Sequence, residues 1–307
     1  MNSAAEKIRT RVLPKQAVLI VNAMSRSGAD VFEDVRTKLI AAGVDLVEAH
    51  AIDNPDDIEP AVRSAIARAP MVIIGGGDGS LSSNVDFFVG HDVVFAFLPL
   101  GTANSFAGSL GIPKDIDSAI DVIANGERKW IDLGRIDGDY FVNAAAIGLS
   151  PMIAQTVPHK LKRYLGKVGY LMWAFWCSLR FRPFKIIIES ADGRKEKFWA
   201  TEARIANGSY HGGVELIESQ RVDSGEIVIQ AVTGRSIWGL AWSWFATILK
   251  LRARHGTTRE FRGTSMKLNT RPHLKISIDG EVCAKTPVTV SIARHVIEIA
   301  APREGQF

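Results

Sequence analysis

Across the first 125 residues, short apolar runs of strand length alternate with stretches of helical periodicity, and no other feature of the chain restricts its fold as much. The run "AVLIV" (Ala17–Val21) comes first, and Val31, Val35 and Leu39 then recur at helical spacing between Asp30 and Ala42. Val44–Val47 is a second strand. Asn54-Pro55-Asp56-Asp57 opens a helix that runs to about Ala69, with proline in its first turn and acids where the helix amides favour negative charge. Met71–Ile74 and Val93–Leu98 are a third and a fourth strand, and Pro113–Ala124 is a further helix closed by Asn125-Gly126. This alternation predicts an α/β domain: a doubly wound, mostly parallel sheet with helices on both faces.

The pattern changes near Trp130. "KWIDLGRI", "DYFVNAAAIG", "FKIIIES", "KFWATEARIANG", "GEIVIQAVTG", "SMKLNT", "LKISIDGE", "PVTVSI" and "VIEIA" are short strands, many of them separated by turn pairs such as Asp137-Gly138 and Asp192-Gly193. They predict a second, mostly antiparallel domain, interrupted by helical insertions at about Leu161–Leu179 and Ser236–Arg254. The 307 residues therefore divide into an α/β domain over 1–130 and a mostly antiparallel β domain over 131–307, whose extreme C-terminus is expected to pack back on the first.

In a parallel α/β sheet, ligands bind beyond the carboxyl ends of the strands. The least ordinary residues stand at those ends: "NAMSRSG" after the first strand, "GGGDGS" after the third and "PLGTAN" after the fourth. Glycine is costly to order, so Gly75-Gly76-Gly77 needs a reason. Glycines after a buried strand let the backbone turn and approach a ligand, and their N–H groups, with the next helix start, seat phosphate oxygens. Asp78 among those donors would repel a triphosphate unless Mg²⁺ sat between them, since Mg²⁺ takes carboxylate and phosphate oxygens together. A tight turn with Asp78 as a helix cap explains the same residues. Gly101, Thr102 and Asn104 repeat the device on the neighbouring strand, where a capped helix start is again the plain alternative. Neither the P-loop nor the dinucleotide fingerprint is present.

Three ordered patterns, Gly76–Ser80, Pro99–Ala107 and Asp279-Gly280-Glu281, resemble the diacylglycerol kinase catalytic family, and its bacterial lipid-kinase branch in particular. "FVNAAAIG" (Phe141–Gly148), "KLKRYLGKVGY" (Lys160–Tyr170) and "IANGSYHGG" (Ile205–Gly213) fit the same branch, so the similarity spans nearly the whole chain. The resemblance implies an α/β nucleotide domain followed by a β-sandwich, an active site in the cleft between them, and transfer of the ATP γ-phosphate to a lipid hydroxyl with Mg²⁺. It places Gly75, Gly76, Gly77, Asp78, Gly79 and Ser80 at the nucleotide, with Thr102 and Asn104 beside them, and Asn22 at the family's Asn after the first strand. Glu281 falls on the general base, and Asp78 on the residue that holds Mg²⁺ and orients that base. A lipid hydroxyl is a poor nucleophile, so a positioned carboxylate that takes its proton is what the chemistry requires. An ordinary hairpin corner is the plain reading of Asp279-Gly280 without the family pattern.

Some positions depart from the pattern. Ser82 and Ser83 stand where the family often has Asn-Glu, Ala23 follows Asn22 in place of the usual Pro, and Ser105 replaces a common Asp. His50 and Ala51 stand where a Thr usually ends the second strand, so no role carries over there. The family's accessory Mg²⁺ turn reads "RVDSGEI" here, with Ser224 at the key Asp and Asp223 one place early, which puts that second metal site in doubt. Asp78 and Glu281 are intact, and an active kinase is expected.

The formal net charge of +4 is a mild basic excess that suits anionic small molecules or an anionic membrane surface, and no dense basic stripe indicates nucleic acid. Two cysteines, Cys177 and Cys283, make neither a disulfide framework nor a metal spacing, and none of the seven histidines has ligand spacing. The first residues lack the apolar core of a signal peptide, and the longest apolar runs fall short of a membrane span. A cytoplasmic protein, peripheral at the inner face of the membrane, is the expectation. Tyr164, Tyr170, Trp173, Phe175 and Trp176 in the first insertion, and Trp238, Trp242, Trp244 and Phe245 in the second, stand beside Lys and Arg, as at a membrane interface. Burial in the protein or a homodimer contact would use the same faces. Two rival functions remain: a soluble kinase of the NAD-kinase type, whose other signatures are absent, and a lipid-binding relative without catalysis.

Overall fold

The computed structural model describes residues 11–24, 28–158, 169, 172–211, 214–215, 217, 220–234, 258–279 and 281–306, with the side chains of 28–30, 150, 154–155, 211, 214 and 281–283 outside that description. The first elements are β1 (Gln16–Asn22), α1 (Gly28–Ala41), β2 (Asp45–Ile52), α2 (Ile58–Ile66), β3 (Met71–Gly76), α3 (Asp78–Ser82) and β4 (Val94–Pro99). Next come α4 (Ser105–Leu110), α5 (Ile116–Asn125), β5 (Glu127–Ile136), β6 (Asp139–Phe141), β7 (Ala144–Gly148), α6 (Leu149–Thr156) and α7 over 172–180. The chain continues with β8 (Phe184–Ser190), β9 (Lys195–Ala206), β10 (Tyr210–His211), β11 (Val214–Glu215), β12 (Ile227–Thr233) and β13 (Thr258–Gly263). It closes with β14 (Ser265–Arg271), β15 (Lys275–Ile278), β16 (Glu281–Lys285) and β17 (Val288–Ala301).

Two compact units result. The first holds the chain up to Leu133, Gly208–Ser224 and everything from Ala293 on; the second holds Gly134–Asn207 and Gly225–Ile292. In the first unit β2, β1, β3 and β4 lie side by side in parallel, and the end of β17 joins β4 in parallel through Glu298↔Val94 and Ile299↔Phe95. All six residues of β3, and all six of β4, are buried. Parallel strands covered on both faces read as unbroken apolar runs, which is why "MVII" and "VFAFL" carry no alternation. α5 starts at Ile116, later than its periodicity suggests, because the Asp115 carboxylate caps it by accepting the Ser118 N–H at 2.8 Å.

The return of 208–224 to the first unit is not visible in the sequence pattern. The Tyr210 N–H donates to Ser109 Oγ at 3.2 Å, and the Asp132 N–H donates to the Val222 carbonyl at 2.7 Å. Both partners lie far away along the chain, so no local periodicity announces the contact.

The second unit is an antiparallel β-sandwich. β16, β15, β7, β9, β8, β14 and the start of β17 follow one another as neighbours, and β12 adds to β9 and carries β13 on its outer edge. β8 and β14 alternate buried and less buried positions, the period-two signature of half-buried strands. Phe184, Ile186, Ile188, Ile205, Ile229, Leu268, Ile278 and Val290 are among the residues that close its core. "DYFVNAAAIG" forms two strands with a break at Val142-Asn143, where the backbone amides turn to a side chain described below. The polar strand β13, "TREFRG", escapes a hydrophobicity reading because among the described residues it pairs with β12 alone and its side chains are partly or fully exposed. Among the described residues no helix is long and apolar enough to cross a membrane. Residues 159–168, 170–171 and 235–257, which hold most of both predicted insertions, lie outside the description.

Candidate active site

β3 and β4 run parallel, pair through Gly76↔Pro99, and deliver their following loops to the same end of the sheet. The glycines make the two loops fit. A Cβ on Gly76 would fall 2.6 Å from Ser80 Oγ, and one on Gly101 would fall 2.5 Å from the Gly77 Cα. Real side chains do not approach that closely, so any substitution at Gly101 drives one loop from the other. Glycine is required at Gly101 by the contact between the loops, and at Gly76 by the packing of Ser80 over the end of β3, whatever ligand they hold.

Three side chains brace the contact. Asn22, at the end of β1, donates from Nδ2 to Ser80 Oγ at 2.8 Å, while its Oδ1 accepts the Met24 N–H at 3.0 Å. Asp78 sits in the first turn of α3, yet its carboxylate serves α4: Oδ2 accepts the Ser105 N–H at 3.0 Å and Oδ1 the Phe106 N–H at 3.1 Å. Those are the first amides of α4, which have no partner inside their own helix. Asn104 precedes them with φ at +47°, in the left-handed region that Asn tolerates better than most residues. Its Oδ1 accepts the Gly101 N–H at 3.0 Å, and its Nδ2 donates to the Gly101 and Pro99 carbonyls at 3.0 and 3.3 Å.

Beside this joint opens a cavity of about 560 Å³, large enough for a nucleotide. Asn22, Gly77, Gly79, Ser80, Gly101 and Thr102 line one part of it. Gly75, Gly76, Asp78 and Asn104 are not on its wall. Gly75 is packed near Leu100 and Val21, and Asn104 is spent inside its own loop, so these two shape the site from behind. The sequence reading missed the remaining wall: Pro55, Asp56, Ile58, Glu59, Ser83 and Asn84. A signal was present, because Asn54–Asp57 follows β2 at the ligand end of a parallel sheet, but its fit to a helix cap absorbed it. The Asn54 side chain does cap, accepting the Asp56 N–H at 3.3 Å.

In the second unit, the turn after β15 places Asp279 at φ +44°. Its Oδ2 accepts the Val142 N–H at 3.0 Å, and its Oδ1 accepts those of Asn143 and Ala144 at 3.3 and 3.2 Å. These are the amides released by the break between β6 and β7. The Asp279 N–H returns a bond to the Ala144 carbonyl at 3.1 Å, so the hairpin is tied to that segment from both sides. Glu281 begins β16 opposite Ile278; its backbone is described and its side chain lies outside the description, as does Gly280.

Asp223 is the residue on which an accessory cation depended. Arg221 grips its carboxylate with Nε and a terminal nitrogen at 2.9 and 3.0 Å, and Lys129 Nζ lies 2.9 Å away. The Arg221 hydrogen bonds, opposed by partial burial and reinforced by Lys129, hold its pKa at about 2. Two protein cations already neutralise this acid, and among the described residues no three His, Cys, Asp or Glu side chains gather where a metal could bind. The donor set at this turn does not fit a second Mg²⁺. The primary position differs. Each Asp78 oxygen spends one lone pair on an amide and keeps another, and Mg²⁺ commonly takes only one or two protein carboxylates, drawing its other ligands from phosphate and water.

Comparison with known proteins extends over nearly the whole chain. Residues 16–136 match the diacylglycerol kinase catalytic domain, and residues 143–301 match the YegS C-terminal NAD kinase beta sandwich-like domain. The diacylglycerol kinase of Bacillus subtilis (strain 168) is 28% identical over 303 residues, covering 94% of this chain and 97% of its own. That of Staphylococcus saprophyticus is 27% identical over 300 residues, covering 94% and 96%. A crystal structure of a diacylglycerol kinase from Bacillus anthracis str. Sterne superposes with a TM-score of 0.75 at 20% identity, covering 94% of this chain and 98% of its own. At that identity the superposition speaks for the fold alone.

Proposed function

The chain belongs to the family of lipid kinases that joins a diacylglycerol kinase catalytic domain to a YegS-type β-sandwich, and from that premise we propose that it transfers the γ-phosphate of ATP to the hydroxyl of diacylglycerol or a related lipid alcohol. The observation that carries this reading is the convergence of the loops after β3 and β4 on one cavity lined by Gly77, Gly79, Ser80 and Thr102. Parallel-sheet loops with exposed backbone donors are suited to nucleotide phosphates.

In the proposed reaction Glu281 takes the proton of the lipid hydroxyl. That oxygen bonds to the γ-phosphorus as the bond from phosphorus to the β,γ-bridging oxygen breaks, and ADP leaves with the electron pair. Mg²⁺, when bound, supplies charge neutralisation on the β- and γ-phosphate oxygens. Asp78 locks the start of α4 against the glycine loop, and it is the carboxylate that would hold the metal through the lone pairs its oxygens keep. Asn22 fixes Ser80, and Ser80 and Thr102 offer hydroxyls to the phosphates.

The test is transfer from γ-labelled ATP to a panel of diacylglycerol, monoacylglycerol, phosphatidylglycerol, a sphingoid alcohol and NAD, with the product identified by mass. Labelling of a lipid is the expected result; labelling of NAD alone, or of nothing, overturns the proposal. In the same assay Glu281→Gln should reduce kcat by about 10²–10⁴-fold, the usual worth of a general base, with ATP affinity kept. Full turnover in that variant removes Glu281 from the base role.

A further inference from the structure

Helix α7 (172–180) is apolar on two opposite faces. Trp173, Ala174 and Cys177, with Phe181 just past its end, pack on Leu149, Ile153 and Val232 of the same unit. The Trp173 indole N–H is satisfied there by Thr156 Oγ at 3.0 Å. On the other face only Trp176 touches the packed side, its ring stacked on that of Trp173 with centroids 4.8 Å apart, and among the described residues the rest of that face is left exposed. Met172, Phe175, Trp176 and Leu179 recur at offsets of three, four and seven, one stripe of a helix, and are 58, 64, 42 and 62% exposed. They are four of the nine exposed large apolar side chains among the described residues, gathered on little more than two turns. Single exposed apolar residues are ordinary, whereas a contiguous cluster marks an interaction surface.

Charge selects the occupant. From Tyr140 to Ile188 the sequence has no Asp or Glu and seven Lys or Arg; from Ile227 to Arg259 it again has no acid and five Lys or Arg. These two stretches hold twelve of the 37 cations, and the remaining 25 are outnumbered by all 33 acids elsewhere in the chain. The net positive charge is thus confined to the sequence around this helix and its sibling insertion. Arg180 and Arg182 are exposed at the end of α7, and the Arg180 guanidinium lies 3.9 Å from the centre of the Trp176 ring. A second copy docking through the same face would set these cations against their own kind, because a two-fold interface repeats one patch. An anionic bilayer takes both features, apolar side chains below the headgroups and Arg and Trp among them.

We propose that the α7 face formed by Met172, Phe175, Trp176 and Leu179, with Arg180 and Arg182 at its edge, seats the protein on an anionic lipid bilayer. This deepens the lipid-kinase reading, on which it rests for the choice of a bilayer, by naming how the enzyme reaches a substrate dissolved in a membrane.

The experiment is co-sedimentation of the full chain with phosphatidylcholine vesicles, pure or with roughly one quarter phosphatidylglycerol. The wild type should bind the anionic vesicles and release as salt rises. Phe175→Glu with Leu179→Glu should weaken partitioning by about tenfold or more, with the thermal midpoint unchanged. Arg180→Glu with Arg182→Glu should weaken binding to the anionic vesicles in the same way while keeping all four apolar side chains, at the cost of the Arg180 contact with the Trp176 ring. Transfer to a short-chain diacylglycerol dispersed as monomers should be unaffected in both variants, while transfer to vesicle-embedded substrate falls. Three results overturn the inference: a wild type that sediments with neither vesicle, variants that bind as it does, or a Phe175/Leu179 variant that melts early or breaks up a dimer, which would mean that protein covers the face. Vesicle binding needs no turnover. Binding lost in the variants without any lipid phosphorylation would sink the kinase reading alone, and phosphorylation with indifferent variants would sink this one alone.

Discussion

Asp78 and Asp279 do the same backbone work in different units, and they brace different things. Asp78 accepts two amides at the start of α4 and so holds one glycine loop against another, beside a cavity. Asp279 accepts three amides between β6 and β7 and so holds a hairpin whose second strand begins with Glu281. Both acids belong to the patterns that resemble a kinase, yet in the structure each is first of all a brace. An acid in a motif is therefore not automatically a group that meets the substrate, and the two positions should fail in different ways.

The largest effects test that difference directly. Asp78→Ala leaves two amides at a helix start without an acceptor, and Asp279→Ala leaves three. Each unsatisfied donor that stays buried costs about 1–3 kcal/mol, so both variants should melt earlier. Their kinetics should separate. Asp78→Ala should weaken ATP binding together with kcat, because the phosphate loops lose their joint. Asp279→Ala should keep ATP affinity and lose kcat by on the order of 10²-fold, the effect of moving a reacting group by about an ångström. Asp279→Asn keeps one acceptor oxygen and should recover part of the loss. Equal damage to ATP affinity in both variants, measured by isothermal titration, would erase the contrast.

A finer comparison lies inside the glycine loops. A Cβ on Gly101 meets the Gly77 backbone at 2.5 Å and Asn104 Oδ1 at 2.7 Å, whereas one on Gly79 meets nothing within 4 Å, although both glycines line the cavity. Gly101→Ala should therefore destabilise the fold by about 1–3 kcal/mol, as overpacking does, and weaken ATP binding. Gly79→Ala should leave the thermal midpoint alone and act only on the ligand. A Gly79 variant with unchanged ATP affinity would place the phosphates elsewhere.

The same contrast explains what the sequence disclosed. β1, β3 and β4 are legible because burial on both faces leaves an unbroken apolar run, and the loops after them stand out because glycine and short polar residues interrupt that run abruptly. The braces are not legible. Asp78 acts on residues 27 and 28 positions ahead, and Asp279 on residues 135 to 137 positions behind, distances over which no local period survives. Asn104 reads as a ligand group because Asn is polar and follows a glycine, but its hydrogen bonds close within its own loop. Glu59 reaches the cavity wall from α2, and Ser83 and Asn84 from the turn that follows α3, and nothing in the local sequence pattern marks these positions as facing a ligand. Polar strands such as β13 are invisible to hydrophobic patterning because pairing along one edge needs no apolar face.

The smallest effect concerns the acid that reads as a metal ligand and sits in an ion cluster. Asp223 lies between Arg221 and Lys129, with its pKa lowered from 3.8 to about 2, chiefly by the Arg221 hydrogen bonds. A carboxyl whose folded pKa is depressed contributes stability above its unfolded pKa and loses that contribution as the pH falls through the folded value. Asp223 should thus support the fold in full above about pH 4 and not at all below about pH 2. Asp223→Asn should lower the unfolding free energy measured in urea at neutral pH by on the order of 1 kcal/mol, modest because the cluster is partly solvated. The difference from wild type should shrink across that acidic window. Added Mg²⁺ should leave the midpoints of both proteins where they are, since Arg221 and Lys129 already hold the charge that a cation would supply; a Mg²⁺-dependent rise in the wild type that Asp223→Asn abolishes would return this turn to the metal.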